Sequence, residues 1–370
     1  MRRPLRVLDL YAGAGGLSAG FAAAGFDVVA GVELDPDAVT TYRHNHVGAR
    51  VAQADLRDVR AAGLVELVGG SIDVIVGGPP CQGFSTNGPR DPQHPSAELL
   101  FEFARVVEDL KPSAFLVENV PGLLSFRSGL LIDSFIRKLR GIDRGGVHYK
   151  VVLDTLDAAG YGVPQHRRRT LICGIAGDAF RFPQAGGGRT SLIDAIGDLP
   201  EWTAATADEV LSLPNAFPLT RYQRARRRGA DALYNHSAKR LQPTRQHRLT
   251  YLWEGSDKRA LPDHLQAGGR NGKYRKLRSG VPAPTIVAHM AHDTAAFIHP
   301  WYSRMLTVRE AARLQAFDDR YRFFGSQYSQ FKQVGNSVPV LMAAAVARAM
   351  EPAVYASSAL SRAGFRSATA

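Results

Sequence analysis

The sequence predicts an α/β protein: an open sheet of buried strands flanked by helices, interrupted by a smaller and irregular domain. Short, largely apolar runs at residues 6–10, 28–32, 72–76 and 114–117 alternate with helix-periodic stretches, as strands buried on both faces do. A glycine-rich turn at residues 11–16 separates the first run from a helix-like stretch reaching Ala24, an arrangement that lets a ligand approach backbone amides closely. From Phe180 to about Thr285 the chain becomes rich in Gly, Pro and Arg and loses long periodic runs. That segment reads as a separate small domain.

Composition narrows the class. The chain has 370 residues, 45% of them hydrophobic, enough for one large domain or two of ordinary size. No stretch approaches the roughly 18 apolar residues of a membrane span, and the amino terminus lacks a signal-peptide core. Cys81 and Cys173 are the only cysteines, which excludes a disulfide framework or a Cys-rich zinc site and fits a reducing cytoplasm. The net charge of +12 is concentrated: residues 221–278 carry 16 Lys and Arg against 4 Asp and Glu, and the remainder balances at 30 of each. A basic segment on a neutral scaffold points to a polyanion partner. Tyr234, Leu249, Tyr251, Leu252, Trp253 and Tyr274 are interleaved with those charges, which favours a folded nucleic-acid surface over a solvated charge run.

Along the chain, the first strand runs into Tyr11, Gly13, Gly15 and Gly16, and the second ends at Glu33, twenty residues beyond Gly13. An acid there can accept hydrogen bonds from ribose hydroxyls. A dinucleotide fingerprint would require Gly or Ala where Ser18 stands, so an adenine nucleoside of another kind fits better. Asp55 follows the third run and suits an adenine amino group. The strand at 72–76 ends in Gly77-Gly78-Pro79-Pro80. Proline offers no N–H to a ladder, so the strand stops and displays Cys81 at the carboxyl edge of the sheet. A cysteine between glycines and prolines reads as a nucleophile.

Residues 86–98 form a loop suited to a lid. Residues 99–110 form a helix with Leu100, Phe103, Val106, Val107 and Leu110 on one side. The strand at 114–117 delivers Glu118 to the same rim as Cys81; a carboxylate there can cap the next helix, and a catalytic role needs the partnership with Cys81. A helix at 130–139 and a strand at 151–156 follow. Arg167, Arg168 and Arg169 then suit anionic contacts, and Cys173 lies mid-strand, where packing is expected. Thr307 with Glu310 opens a capped helix. An Ala-rich helix runs to about Met350, and the last dozen residues, small and polar, read as a frayed tail. His289, His292 and His299 have no carboxylate cluster beside them, so no metal is expected.

The segments Asp9-Leu10-Tyr11-Ala12-Gly13-Ala14-Gly15-Gly16, Gly78-Pro79-Pro80-Cys81-Gln82, Glu118-Asn119-Val120, Gln165-x-Arg167-x-Arg169, Arg309-Glu310-x-x-Arg313-Leu314-Gln315 and Gln333-x-Gly335-Asn336-Ser337-x-Pro339 resemble, in order and spacing, those of the bacterial cytosine-C5 DNA methyltransferase family. The resemblance covers residues 6–175 and 284–350, with Tyr11 replacing the usual Phe. It implies a Rossmann-like, S-adenosylmethionine (AdoMet)-dependent methyltransferase sheet over residues 1–179. A target-recognition domain would occupy 180–285 and a return segment completing the catalytic domain 286–350, before a tail at 351–370.

The cofactor implied is S-adenosyl-L-methionine, leaving as S-adenosyl-L-homocysteine. Tyr11, Gly13, Gly15, Gly16, Glu33, Asp55, Pro80, Leu100, Asn336 and Ser337 would hold it. Cys81 would attack C6 of a cytosine flipped out of double-stranded DNA, while Glu118 engages N3, Arg167 fixes O2, and Arg169 holds Cys81 and its loop. The resemblance further implies a monomer serving restriction-modification or solitary methylation, with a restriction endonuclease as a genetic partner. A tRNA methyltransferase on the same scaffold would carry a Cys-Phe-Thr motif, and this chain has no third cysteine. A silent DNA binder would have lost Cys81 or Glu118, and an NAD-dependent oxidoreductase is disfavoured by Ser18.

Overall fold

The computed structural model describes residues 2–80, 96–186, 188–203, 205–206, 209–214, 218–266, 274–291 and 296–367. By internal contacts they fall into two compact units: Met1–Asp157, Arg168–Gly186 and Val340–Ala370 make the first, Ala158–Arg167 and Gly187–Pro339 the second.

In the first unit the chain runs β1 (Arg6–Leu10), α1 (Gly16–Ala23), β2 (Asp27–Glu33), α2 (Pro36–Asn45), β3 (Arg50–Gln53), α3 (Ala61–Val68), β4 (Val74–Gly77), α4 (Ser96–Leu110), β5 (Ala114–Asn119), α5 (Leu130–Gly141), β6 (Tyr149–Asp157), β7 (Arg168–Ala176) and α11 (Val340–Ser367). Among the described residues these strands form one seven-stranded sheet in the order β3-β2-β1-β4-β5-β7-β6. β1 to β5 are parallel, and β7 runs antiparallel to both β5 and β6. Every residue of β4 and β5 is buried, which explains why these strands read as unbroken apolar runs. From β3 at one edge the chain crosses to β4 beside β1, so the strand order reverses between β1 and β4. Ligands bind at the carboxyl end of such a switch point.

The helices follow their expected faces. Leu100, Phe103, Val106 and Val107 of α4 are fully buried, and Leu110 packs partly buried against the same core. Cys173 is buried mid-strand in β7, where burial raises its thiol pKa; its role is packing.

The carboxyl-terminal helix departs from expectation. Instead of ending near Met350, α11 continues through Pro352 to Ser367. Val354 and Ser357 are buried, Ser113 Oγ lies 2.9 Å from Ser358 Oγ, and Tyr355 Oη donates to the Arg3 carbonyl at 2.8 Å. The small polar residues there let the helix approach the sheet closely and therefore did not look like a packing face. The helical stretch Gln327–Ala359 is also long and apolar enough to cross a membrane, and 61% of its most apolar part is buried inside the protein.

α1 and α11 pack where Gly20 lets them. A Cβ on Gly20 would lie 2.4 Å from Ala343 Cβ and 2.9 Å from both the Val340 carbonyl oxygen and the Ala344 nitrogen. Gly20→Ala is therefore expected to cost about 1–3 kcal/mol by overpacking. The check is a lower urea midpoint at an unchanged slope.

The second unit holds α6 (Leu192–Ile196), α7 (Arg221–Arg227), α8 (Pro243–Leu249), α9 (Val308–Leu314) and α10 (Gln327–Asn336), joined by irregular chain. Leu249, Leu252, Leu261, Tyr274, Ile298 and Met305 form a small core within it. The unit extends to Pro339, so residues 286–339 group with the basic segment, and only the part from Val340 joins the sheet. The physical reason is α9, whose side chains are buried within the second unit.

Candidate active site

The carboxyl ends of β1, β4 and β5 form the rim on which the sequence placed its chemistry. Gly77 closes β4 because nothing larger fits: a Cβ would lie 2.6 Å from the Leu10 carbonyl oxygen and 3.0 Å from the Phe103 ring. Asn119 Nδ2 donates to the Pro79 carbonyl at 3.2 Å, anchoring the turn that leads through Pro80 toward Cys81. The motif alone gives Asn119 no role; its buried amide ties the exits of β4 and β5 together. Cys81 and most of the expected lid, through residue 95, lie outside the described residues.

Glu118, 8% exposed, sits opposite Leu171 in the β5–β7 register. Two residues back along β7, Arg169 places Nε 2.7 Å from Glu118 Oε1. A buried carboxylate needs such a partner. On its other side, a Cβ at Gly78 would come within 3.3 Å of Glu118 Oε2, so the glycine leaves that oxygen open.

The two arginines of the motif have different partners. Arg167 is 1% exposed, and its Nη1 and Nη2 donate to the Ile286 and Gly335 carbonyls at 2.5 and 2.9 Å, all within the second unit. Arg167 is thus a structural clamp. Arg169 is the guanidinium at the Glu118 carboxylate; the Cys81 loop that it is also expected to hold lies outside the described residues. Spacing alone does not distinguish them.

The expected nucleoside residues of the first unit do converge. The Gly13 N–H donates to Glu33 Oε2 at 2.7 Å, and the Leu34 and Asp35 N–H groups donate to Oε1 at 2.8 Å each. Since a carboxylate has about four acceptor positions, Glu33 retains capacity for a ribose hydroxyl. Tyr11 takes a left-handed conformation, φ 54°, held by its hydroxyl bond to the Leu99 carbonyl at 2.8 Å; such strain concentrates at functional turns.

Gly13 has open space where a Cβ would be. Gly15 caps α1 with no side chain, and Gly16 begins the helix, so no side chain occupies the start of the helix, where anionic groups are favoured. Asp55 is held below the usual carboxylate range by its hydrogen bonds from Arg57, which keeps it an acceptor. Leu100 packs fully buried in the core. Open glycines, acceptor carboxylates at the ends of β2 and β3, and uncapped amides match the hydroxyls, amino group and carboxylate of AdoMet, so these residues fit that group. Asn336 and Ser337 end α10 in the second unit, where Ser337 Oγ donates to the Gln333 carbonyl at 2.8 Å.

In the second unit many of the motif and basic residues prove structural. Arg309 donates Nε, Nη1 and Nη2 to the carbonyls of Tyr234, Asp318 and Tyr321. Arg313, fully buried, pairs with Asp319 at 2.5 Å and Asp198 at 3.1 Å. Within the basic segment, Arg226 pairs with Asp318 and Arg227 with Asp198, while Lys276 is buried and donates to the Leu252 carbonyl. The exposed cations are therefore fewer than the count implied, among them Arg221, Arg228, Lys239, Arg240, Arg245 and Arg278.

This sheet, five parallel strands continued by an antiparallel β7 beside β5, is the fold of AdoMet-dependent methyltransferases. A family model described as C-5 cytosine-specific DNA methylase matches residues 5–352. Type II methyltransferase M.AgeI of Thalassovita gelatinovora is 33% identical over 95% of this chain and 100% of its own length. Type II methyltransferase M.DdeI of Desulfomicrobium norvegicum is 35% identical over 93% and 88%. A crystal structure described as a prophage-encoded DNA modification methyltransferase (E. coli) superposes with a TM-score of 0.78 at 26% identity, covering 95% of this chain and 99% of that one. The chain belongs to the C-5 cytosine-specific DNA methylase family: it is an AdoMet-dependent enzyme that methylates cytosine C5 in DNA.

Proposed function

We propose that the enzyme methylates one cytosine within a specific duplex sequence through a covalent Cys81–C6 adduct, with Glu118 and Arg169 at the flipped base. Carbon-5 of cytosine is a poor nucleophile. Addition of the Cys81 thiolate to C6, with Glu118 hydrogen-bonding or protonating N3, moves electron density onto C5. AdoMet supplies an electrophilic methyl group there. A base then takes the C5 proton, the C5–C6 double bond re-forms, and Cys81 leaves as thiolate. Arg169 orients the Glu118 carboxylate and is the guanidinium nearest to where a cytosine O2 would sit beside N3. Tyr11, Gly13, Gly15, Gly16, Glu33 and Asp55 hold the cofactor, with Pro80, Leu100, Asn336 and Ser337 assigned to it by family resemblance.

The second unit supplies the DNA surface: exposed arginines and lysines on phosphates, other groups on base edges. Its relatives bear Type II methyltransferase names, which supports a place in restriction-modification, with a cognate endonuclease as a genetic partner. We infer a cytoplasmic monomer that releases S-adenosyl-L-homocysteine.

The observation that carries this reading is the Glu118–Arg169 pair at the strand end beside Gly78. Glu118→Gln keeps the shape and removes the exchangeable proton. It is expected to lower kcat by about 10²–10⁴-fold while leaving AdoMet affinity within twofold. A variant with wild-type kcat would remove Glu118 from the chemistry.

A further inference from the structure

Beneath the glycine turn lies a set of buried polar side chains to which the reaction assigns no role. Asp9, in β1 and 1% exposed, accepts the Ser18 hydroxyl on Oδ2 at 2.7 Å. Its Oδ1 is buried without a hydrogen-bond partner among the described residues. Ser18 Oγ, in α1, is also 2.8 Å from Tyr42 Oη in α2. Ser18 has one proton; given to Asp9, it leaves the Ser18 oxygen to accept from Tyr42. The Tyr42 phenol stays protonated, since burial raises its pKa.

Room for this arrangement is built into the sheet. A Cβ on Gly31 of β2 would lie 2.8 Å from Tyr42 Cζ. Capping α2, His46 holds its ring 4.5 Å from that of Tyr42, tilted by 37°, and hydrogen-bonds the Gly15 backbone. Burial lowers His46 to about 4, so its ring is neutral near pH 7. The turn at residues 11–16 is thus held at Gly13 by Glu33, at Gly15 by His46, and at both flanks by the Asp9–Ser18 bond.

We propose that Asp9, Ser18 and Tyr42 are positioning residues for the methyl donor: a buried relay that, together with His46, sets the backbone of the glycine turn. The proposal rests on the reading of that turn as the AdoMet site. A polar chain in a core costs stability unless its geometry is used, and this one spans β1, α1 and α2 directly under the turn.

The relay also has a charge state. Burial pushes the Asp9 carboxyl up to about 7, opposed by the Ser18 hydrogen bonds and aided slightly by Glu33. The groups around it are Ser18 on α1, Tyr42 on α2, Glu33 on β2, and the apolar Val76 in register on β4. Asp9 therefore changes charge around neutral pH. Because its folded pKa is raised, the neutral form favours the fold, and that contribution falls as pH rises from the unfolded carboxyl value toward 7.

The test is calorimetric binding of S-adenosylhomocysteine to the full-length protein, with steady-state kinetics alongside. Tyr42→Phe removes one oxygen and keeps the ring against Gly31; Ser18→Ala breaks both bonds of the relay. Tyr42→Phe is expected to raise the dissociation constant and the KM for AdoMet about tenfold, the effect of one lost buried hydrogen bond, and Ser18→Ala to raise both further. The KM for DNA and kcat should stay within twofold. Asp9→Asn keeps an acceptor for Ser18 and removes the titration, so the bend in affinity between pH 6 and 8 in the wild type should become flat.

Glu33→Gln is the control on the underlying reading. If it leaves affinity unchanged, the turn is not the cofactor site and the relay proposal falls with it. If Glu33→Gln weakens binding while folded Tyr42→Phe binds like wild type, the relay alone is overturned. Equal rises in the KM for DNA and for AdoMet would also overturn it, marking a general structural defect.

Discussion

Duplex DNA containing 5-fluorocytosine in the target sequence is expected to trap the wild-type enzyme, and Cys81→Ser is expected to form no trapped species. Fluorine cannot leave C5 as a cation, so the last step, loss of the C5 substituent, is blocked. The adduct of protein, DNA and one methyl group then persists and is weighed by mass spectrometry. With ordinary cytosine, Cys81→Ser should lose on the order of 10³-fold or more in kcat, because the single high barrier is no longer divided in two. Sequencing the trapped DNA reads out the target site in the same experiment. An equal adduct from Cys81→Ser would move the nucleophile elsewhere. DNA binding without any adduct would overturn the covalent route through Cys81.

The second large effect is on stability. Arg313→Met should destabilise the second unit by about 3–5 kcal/mol, as removal of one partner from a buried charge cluster does. Arg313 is fully buried between Asp198 and Asp319 and also donates to the Ala195 carbonyl at 2.6 Å. Burial opposes its charge, yet the two carboxylates hold its pKa above the ordinary arginine value. Asp198 keeps Arg227 at 2.8 Å, so Asp319 is the carboxylate left without its cation.

Arg313→Met combined with Asp319→Asn should therefore recover a substantial part of the loss, read as a coupling energy in a double-mutant cycle. All three tryptophans, Trp202, Trp253 and Trp301, lie in the second unit, so their fluorescence during urea unfolding reports on it directly. A loss below about 1 kcal/mol, typical of an exposed pair, would show that the cluster is hydrated.

Much of the first unit was legible because its signals are local. A continuous β-branched run marks a strand buried on both faces, wherever that strand later sits. Glycines at 13 and 15 mark a turn with positive φ, as found for both. The Thr307–Glu310 capping box is a four-residue pattern and appears as expected, with the Thr307 N–H on Glu310 Oε2 at 2.8 Å. Glu33 and Gly13 were paired through their positions after successive strands, which follow from βαβ geometry.

Charged partners were not legible in the same way. Arg167 and Arg169 share a motif and a residue type, and only the alternation of β7 with the turn before it sends one to Glu118 and the other to Ile286 and Gly335. The basic segment read as one surface because a sequence counts charges without their burial; Arg226, Arg227 and Lys276 are spent inside. Ser18 was read for what it excluded, and its bond to Asp9 and Tyr42 needed α1 and α2 folded against β1. Ala and Ser carry no strong periodic signal, so the helix reads as ending near Met350, while in the fold Ala343 and Ala344 lie against Gly20 of α1 and Ser357 and Ser358 against Ser113.

The sequence by itself thus determined the strands and the turns of the first unit, since hydrophobic period and backbone conformation are set by neighbours along the chain. Which cation meets which carboxylate, which acid is buried near neutrality, and where one unit ends were decided by the tertiary structure, because they depend on contacts between residues far apart in sequence.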